Sequence, residues 1–288
     1  MLRTRTYTPY LFLAPITGLL LFVFGYPLIA VFDFSTRRIR GASGTFIGLE
    51  NYRQVLDDPI FSLSVKHNGQ LLLAVPILVI ISILIAVMLD DRMRGWRYYR
   101  SILFFPYVLA VPIVGAIFSN LLQYNGVINT MLRWLGANFL AQDWIGNASL
   151  TLWTIMAITI WHNVGFGIIL FLARLQSLNE EIKDAARVDG AGWWQRLWFV
   201  TIPQLKDVME FYIVISVITM MAWVFPYIYV ISRGGPGNST QVLEYYIYNS
   251  AFRYNAPGPA SAVSVMLFLI TLVIIVPFFM LRGESEIE

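Results

Sequence analysis

Polar and apolar positions in this 288-residue chain fall in long blocks rather than in short alternation. A helix needs about 20 mostly apolar residues to cross the hydrocarbon of a bilayer. Six stretches qualify, approximately 10–32, 69–89, 101–123, 150–173, 211–232 and 260–281. Asp33, Lys66-His67, Asp90-Asp91-Arg92 and Arg100 mark the first four boundaries with water. The pattern predicts an all-α membrane protein of about six transmembrane helices, forming a single domain over 1–288. Pro27, Pro76, Pro106, Pro112, Pro226 and Pro277 lie in or near the spans. Neighbouring groups re-satisfy the carbonyls that a proline frees in a membrane helix, so kinks rather than breaks are expected. The first run follows Arg3 and Arg5 and has no small-residue cleavage site, so it reads as a retained helix and not as a secretory signal.

Composition strengthens this picture. The chain is 58% hydrophobic and 13% charged, against about a quarter charged in an ordinary soluble domain. A formal charge of +3, spread along the chain, argues against a nucleic-acid partner. With no cysteine, disulfides, thiolate metal sites and cysteine catalysis are excluded. His67 and His162 are the only histidines and form no paired-His metal motif. No glycine-rich phosphate loop with a lysine occurs, and Asp90-Asp91 marks a helix end beside Arg92. No catalytic residue, no metal site and no cofactor site is therefore expected in this chain, which argues against a membrane enzyme.

Lysine and arginine collect on the cytoplasmic side of membrane proteins. With the N- and C-termini cytoplasmic, 12 basic residues fall inside against 8 outside. Arg37, Arg38 and Arg40 oppose that assignment. Ion-coupled carriers place ionisable groups deep in their spans. Here the spans are nearly free of them and show no inverted repeat, which argues against a self-sufficient secondary transporter or channel.

The 174–206 loop is the most strongly patterned segment. Ser177 and Glu180 stand at capping-box spacing, predicting a helix from about residue 178. Ile182, Ala185, Ala186 and Asp189 then share one helical face, and Gly190 ends the helix where a left-handed cap suits glycine. Trp193, Trp194, Leu197, Trp198 and Phe199 suit the membrane–water boundary, and Pro203 punctuates the run before the next span. Two readings fit this pattern alone: an amphipathic hairpin lying on the membrane, or a lever on which the small side chains Ala185, Ala186 and Ala191 let another protein approach closely.

The spacing resembles the signature of binding-protein-dependent importer permeases. Asp184-Ala185-Ala186 stands for the Glu-Ala-Ala triplet, Gly190 follows three residues after Arg187, and Val200-Thr201-Ile202-Pro203 matches the apolar-x-apolar-Pro ending. Asp189-Gly190-Ala191 is also typical. Gly234, Gly235, Pro236 and Thr240 resemble the Gly-Gly-Pro-x-x-x-Thr segment of carbohydrate permeases, and Phe46–Tyr52 resembles a third family segment. The resemblance covers most of the chain and points to the carbohydrate group, related to maltose-type permeases. Three departures stand out. Asp184 shortens the signature carboxylate by a methylene, residues 64–70 replace the usual Asn-Thr pair, and Pro226 stands where relatives often carry a polar residue.

What the resemblance implies is a type I importer permease in a bacterial or archaeal cytoplasmic membrane. Its partners would be a second homologous permease, an ATPase dimer that holds ATP and Mg, an extracytoplasmic solute-binding protein and the lipid bilayer. The 180–192 helix would be the coupling helix, with Asp184, Ala185, Ala186, Asp189, Gly190, Ala191 and Pro203 forming or supporting the ATPase contact. Polar and aromatic groups near or within spans are candidates for the path of a sugar: Asn120, Gln123, Tyr124, Trp161, His162, Asn163, Trp223 and Tyr227. Gly48, Asn51, Tyr52, Gly234, Gly235, Pro236 and Thr240 are candidates for docking the binding protein, although turn chemistry alone also explains Gly-Gly-Pro-Gly.

Overall fold

A computed structural model describes residues 8–40, 43–91 and 95–283. Arg3 and Arg5 lie outside the described residues, as does Arg92. Among the described residues, four helices are long and apolar enough to cross a membrane: Tyr10–Ser35, Pro59–Asp90, Thr151–Gln176 and Pro257–Pro277. Two bent pairs bring the number to six if each pair is one span. These are Tyr98–Val108 with Val111–Leu121, bent by 97°, and Lys206–Ala222 with Phe225–Ile231, bent by 42°. Among the described residues, the one departure from helix and turn is a pair of short antiparallel strands, Arg37–Arg40 and Ser43–Phe46, in register Arg37↔Phe46.

The bent pairs correct the expectation of kinks. Proline suits the first turn of a helix, where its missing N–H would have no intrahelical partner. Ahead of Val111-Pro112, both Leu109 and Ala110 are extended, at ψ 142° and 134°. In the fifth span the break falls at Trp223 and Val224, and Pro226 lies in the first turn of the new helix. Pro106 and Pro277, by contrast, are carried inside continuous helices.

The described chain divides into two compact units, one formed by residues 1–62 and 246–269, the other by 63–245 and 270–288. In the first unit, the apolar window of the Tyr10–Ser35 helix buries none of its residues. Asn51 is 3% exposed and donates from Nδ2 to the carbonyls of Ser35 (2.8 Å) and Arg37 (2.9 Å). Tyr52 donates its hydroxyl to Ser35 Oγ at 2.7 Å. A Cβ at Gly258 would press on Arg37 O and the Asn51 amide, so this close packing requires glycine.

In the second unit, the Thr151–Gln176 helix is central and packs against Ala74–Asp90, Trp96–Val108 and Lys206–Ala222. Two glycines permit it to approach closely on two faces. A Cβ at Gly165 would meet the backbone of Leu103 and Phe104, and one at Gly167 would meet Ser82 and the Tyr212 ring. Interfaces of small residues are the usual way that membrane helices gain packing contact. The core there is Leu78, Ile155, Ile168, Phe171, Leu172 and Met220, each at most 1% exposed.

Candidate functional site

The 174–206 loop is a helical hairpin with locally determined ends. Its first helix is Glu180–Val188. The N-cap is Asn179, whose Oδ1 accepts the Glu181 amide at 3.0 Å. Ser177, expected in that role, instead closes the preceding helix by donating to Arg174 O at 2.7 Å. Two cap-forming residues two positions apart compete, and the later one takes the helix start. At the other end Gly190 adopts φ 78°. Its amide donates to Arg187 O at 3.1 Å, and the Ala191 amide donates to Ala186 O at 3.0 Å. Those two bonds are the paired C-terminal bonds of a Schellman motif. Gly192 donates its amide to Gln195 Oε1 at 2.8 Å to start the second helix. Pro203 occupies the first turn of a short helix, Ile202–Gln204. Arg174 Nε donates to Gln204 O at 3.3 Å and ties the base of the loop together.

This hairpin presents an open surface. Asp184, Ala185, Asp189 and Gly190 are exposed, and Ala186 and Ala191 are half-buried. Val188, which the pattern reading did not single out, is 88% exposed. Arg187 pairs with Asp184 at 2.9 Å and reaches Asp91, at the end of the Ala74–Asp90 helix, at 3.8 Å. Both contacts are solvent-exposed, so they orient the hairpin more than they stabilise it.

Inside the second unit, three candidate path residues come together. His162 is 4% and Tyr227 2% exposed. His162 Nε2 donates to Leu109 O at 3.0 Å, since a carbonyl only accepts, and Nδ1 accepts the Tyr227 hydroxyl. Leu109 O is the carbonyl freed where the third span breaks. The histidine therefore clamps that break to the second half of the fifth span. Asn163 donates to Thr159 O at 2.8 Å. It also borders a cavity of about 30 Å³ with Tyr107, Phe166, Tyr212, Ser216 and Thr219. That volume suits a single water. Trp161 stacks edge-on against Phe118 at 5.1 Å and is 42% exposed. Asn120, Gln123, Tyr124 and Trp223 lie on exposed surface, away from this cluster.

The Gly-Gly-Pro segment is a closed knot. Thr240 is fully buried, donates to Gly235 O at 2.9 Å and pairs with Ser232 Oγ at 2.7 Å. Gly234 sits at φ 83°, and a Cβ there would meet Gln241 and the Tyr245 ring. Pro236 follows a cis bond and is half-buried. In the first unit Gly48, at φ 62°, turns the chain ahead of Asn51 and Tyr52, and a Cβ there would meet open space among the described residues.

Two anchors of this segment escaped the pattern reading. His67 Nδ1 donates to Gln241 O at 2.7 Å, and Asn68 Oδ1 accepts the Leu243 amide at 2.9 Å. Both come from the 64–70 stretch that departs from the family pattern. Glu244 also went unnoticed. Its Oε1 accepts the Phe225 amide at 3.4 Å, at the break in the fifth span, while Oε2 is sealed from solvent without a partner among the described residues. Burial pushes this carboxyl up to about 8.

Spans broken around polar clamps, with an exposed capped hairpin on one loop, define a polytopic membrane protein. Residues 43–283 match the family described as binding-protein-dependent transport system inner membrane component, and the chain belongs to that family. It is 31% identical over 282 residues to the probable ABC transporter permease protein YurN of Bacillus subtilis, covering 94% of each chain. It is 30% identical to the arabinooligosaccharides transport system permease protein AraP of Halalkalibacterium halodurans, over 99% of this chain and 90% of the relative. The lactose transport system permease protein LacF of Rhizobium radiobacter is 29% identical, over 96% of this chain and 94% of the relative. The fold is that of a chain in a bacterial ABC transporter involved in the import of the acidic polysaccharide alginate. The TM-score is 0.85 at 21% identity, over 96% of each chain. The importer-permease resemblance read from the sequence is thereby borne out.

Proposed function

We propose that this chain forms, with a second homologous permease, the path by which a sugar or sugar-like solute enters the cell, driven by ATP hydrolysed on separate subunits. The capped hairpin of Glu180–Val188 carries this reading. A lever must be rigid, must be tied to the spans and must offer a partner an approachable surface. The hairpin has a closed cap at each end of its helix, the Arg174 and Asp91 ties, and an open face of Asp184, Ala185 and Val188. Asp184, Ala185, Ala186, Asp189, Gly190 and Ala191 supply or shape the ATPase contact, and Pro203 marks the return to the fifth span. ATP and Mg belong to the ATPase dimer. The loop is cytoplasmic in this reading, as are both termini, in a bacterial or archaeal inner membrane.

A sugar or sugar-like cargo is supported by the names of relatives, which include arabinooligosaccharide, lactose and sn-glycerol-3-phosphate systems. His162 and Tyr227 govern the gate in the path, since they hold the broken third and fifth spans together, and Asn163 borders the cavity beside them. Trp161, Asn120, Gln123, Tyr124 and Trp223 offer aromatic and amide groups on surfaces that the second permease would complete. Gly48 and the Gly235-Pro236 turn are the docking points for the solute-binding protein, held in shape by Asn51, Tyr52, Thr240 and the buried Gly234.

Reconstitution tests this reading. Proteoliposomes carrying the chain with its co-expressed permease, ATPase and binding protein should take up sugar only with ATP and with all four components. Uptake by this chain alone, without ATP, would make it a self-contained carrier and overturn the proposal.

A further inference from the structure

The segment between the third and fourth spans carries a feature that the transport reading does not use. Its helix, Val127–Trp134, places Val127, Met131 and Trp134 on one face at helical spacing, and these are 56%, 58% and 86% exposed. Leu135, Phe139 and Leu140 extend the same apolar display through the following turn. The opposite face is locked. Asn129 is fully buried, accepts the Trp144 indole N–H at 2.9 Å and donates to Gln142 O at 2.7 Å and Tyr124 O at 3.1 Å. A helix held this firmly does not turn its apolar face inward.

Charge and position indicate what covers that face. Arg133 is the only charged residue between Tyr124 and Gln142. Its guanidinium folds back, donating to Tyr124 O at 2.9 Å and resting 4.8 Å above the Tyr124 ring. The helix also starts at the very end of a span. A Cβ at Gly126 would collide with the carbonyl oxygens of Asn120, Leu121 and Gln123, so the turn is pressed onto the last carbonyls of Val111–Leu121. The apolar face of the segment thus lies at the depth where the span ends.

We propose that the Val127–Leu140 segment is a membrane-surface anchor. Met131, Trp134 and Phe139 are immersed in the headgroup–acyl boundary of the leaflet at which Val111–Leu121 ends, and Arg133 sits at phosphate level. Tryptophan at the membrane interface and an apolar face laid in the plane of the bilayer are the physical basis of such anchors. The proposal does not depend on the cargo or on the energy source.

The chain has no cysteine, so single labels are clean. Nitroxides at Met131→Cys, Trp134→Cys and Phe139→Cys, with controls at Asn125→Cys and Ser149→Cys, are read in the full-length protein with its co-purifying subunits in nanodiscs. Collision with oxygen should exceed collision with a water-soluble nickel chelate several-fold at the three test sites, and the preference should reverse at the controls. Nickel preference at the test sites would mean a water-facing loop and would overturn the anchor. Protection from both reagents would mean that a protein partner covers the face, and would overturn it equally.

Discussion

Gly190 offers a sharp test of the hairpin because its two possible roles predict opposite orders. It sits at φ 78°, and no heavy atom of the described residues lies within 4 Å of a Cβ built upon it. Within this chain, then, a side chain costs only the left-handed backbone, about 1–2 kcal/mol for an ordinary L-residue. With RT near 0.59 kcal/mol, that lowers the ratio of capped to uncapped hairpin by roughly 5- to 30-fold. Asparagine tolerates the left-handed region better than alanine, and a β-branched residue tolerates it worst. If the cap geometry is what couples, sugar uptake per ATP hydrolysed should fall in the order Gly190, Gly190→Asn, Gly190→Ala, Gly190→Val. The assay is paired uptake and ATPase measurement in proteoliposomes of the assembled transporter. If glycine serves only to admit a partner's surface, size rules instead, and Gly190→Ala should outperform Gly190→Asn. That order, or four equal ratios, would remove the cap as the coupling element.

Other outcomes follow from the buried groups. Tyr227→Phe leaves His162 Nδ1 without its hydroxyl donor. Hydrogen bonds between membrane helices contribute roughly 0.6–1.7 kcal/mol, so unfolding of the purified protein should come a few degrees lower, and an unchanged melting temperature would contradict the clamp. Glu244 titrates at about 8 in the folded chain against 4.5 in the open chain. The unfolded chain therefore loses this proton first. The group's contribution falls as pH rises from about 4.5 to 8, by at most about 5 kcal/mol, and is flat above. Glu244→Gln should flatten the melting temperature across that window; a profile identical to the parent would contradict a protonated Glu244.

Much of this architecture is written locally in the chain. The long apolar blocks give the spans because bilayer thickness sets their length. The Gly190 cap is legible because its two bonds, to Arg187 and Ala186, lie within five residues. The span breaks are less legible. Proline marks both kinks and breaks, and what satisfies the freed Leu109 carbonyl is His162, 53 residues away. His162 itself stands out, since a polar side chain in a span is costly without a purpose, but its pairing with Tyr227 needs the fold. Asn68 and Glu244 were silent for a related reason. Asn68 holds an amide 175 residues distant, and Glu244 holds one 19 residues back, across the break in the fifth span. No period or spacing marks either contact. The N-cap at Asn179 was displaced by two residues because Ser177 offers the same chemistry.

That the Glu180–Val188 hairpin docks on an ATPase is tested most directly by Ala185→Cys in this naturally cysteine-free chain, in inverted membrane vesicles bearing the full transporter. The residue is exposed on the open face of the hairpin. A docked lever should give a disulfide cross-link to single cysteines lining the docking groove of the ATPase, with a yield that changes when ATP closes the ATPase pair. Labelling of the introduced thiol from the extracytoplasmic side of intact cells, with no cross-link at any groove position, would contradict it.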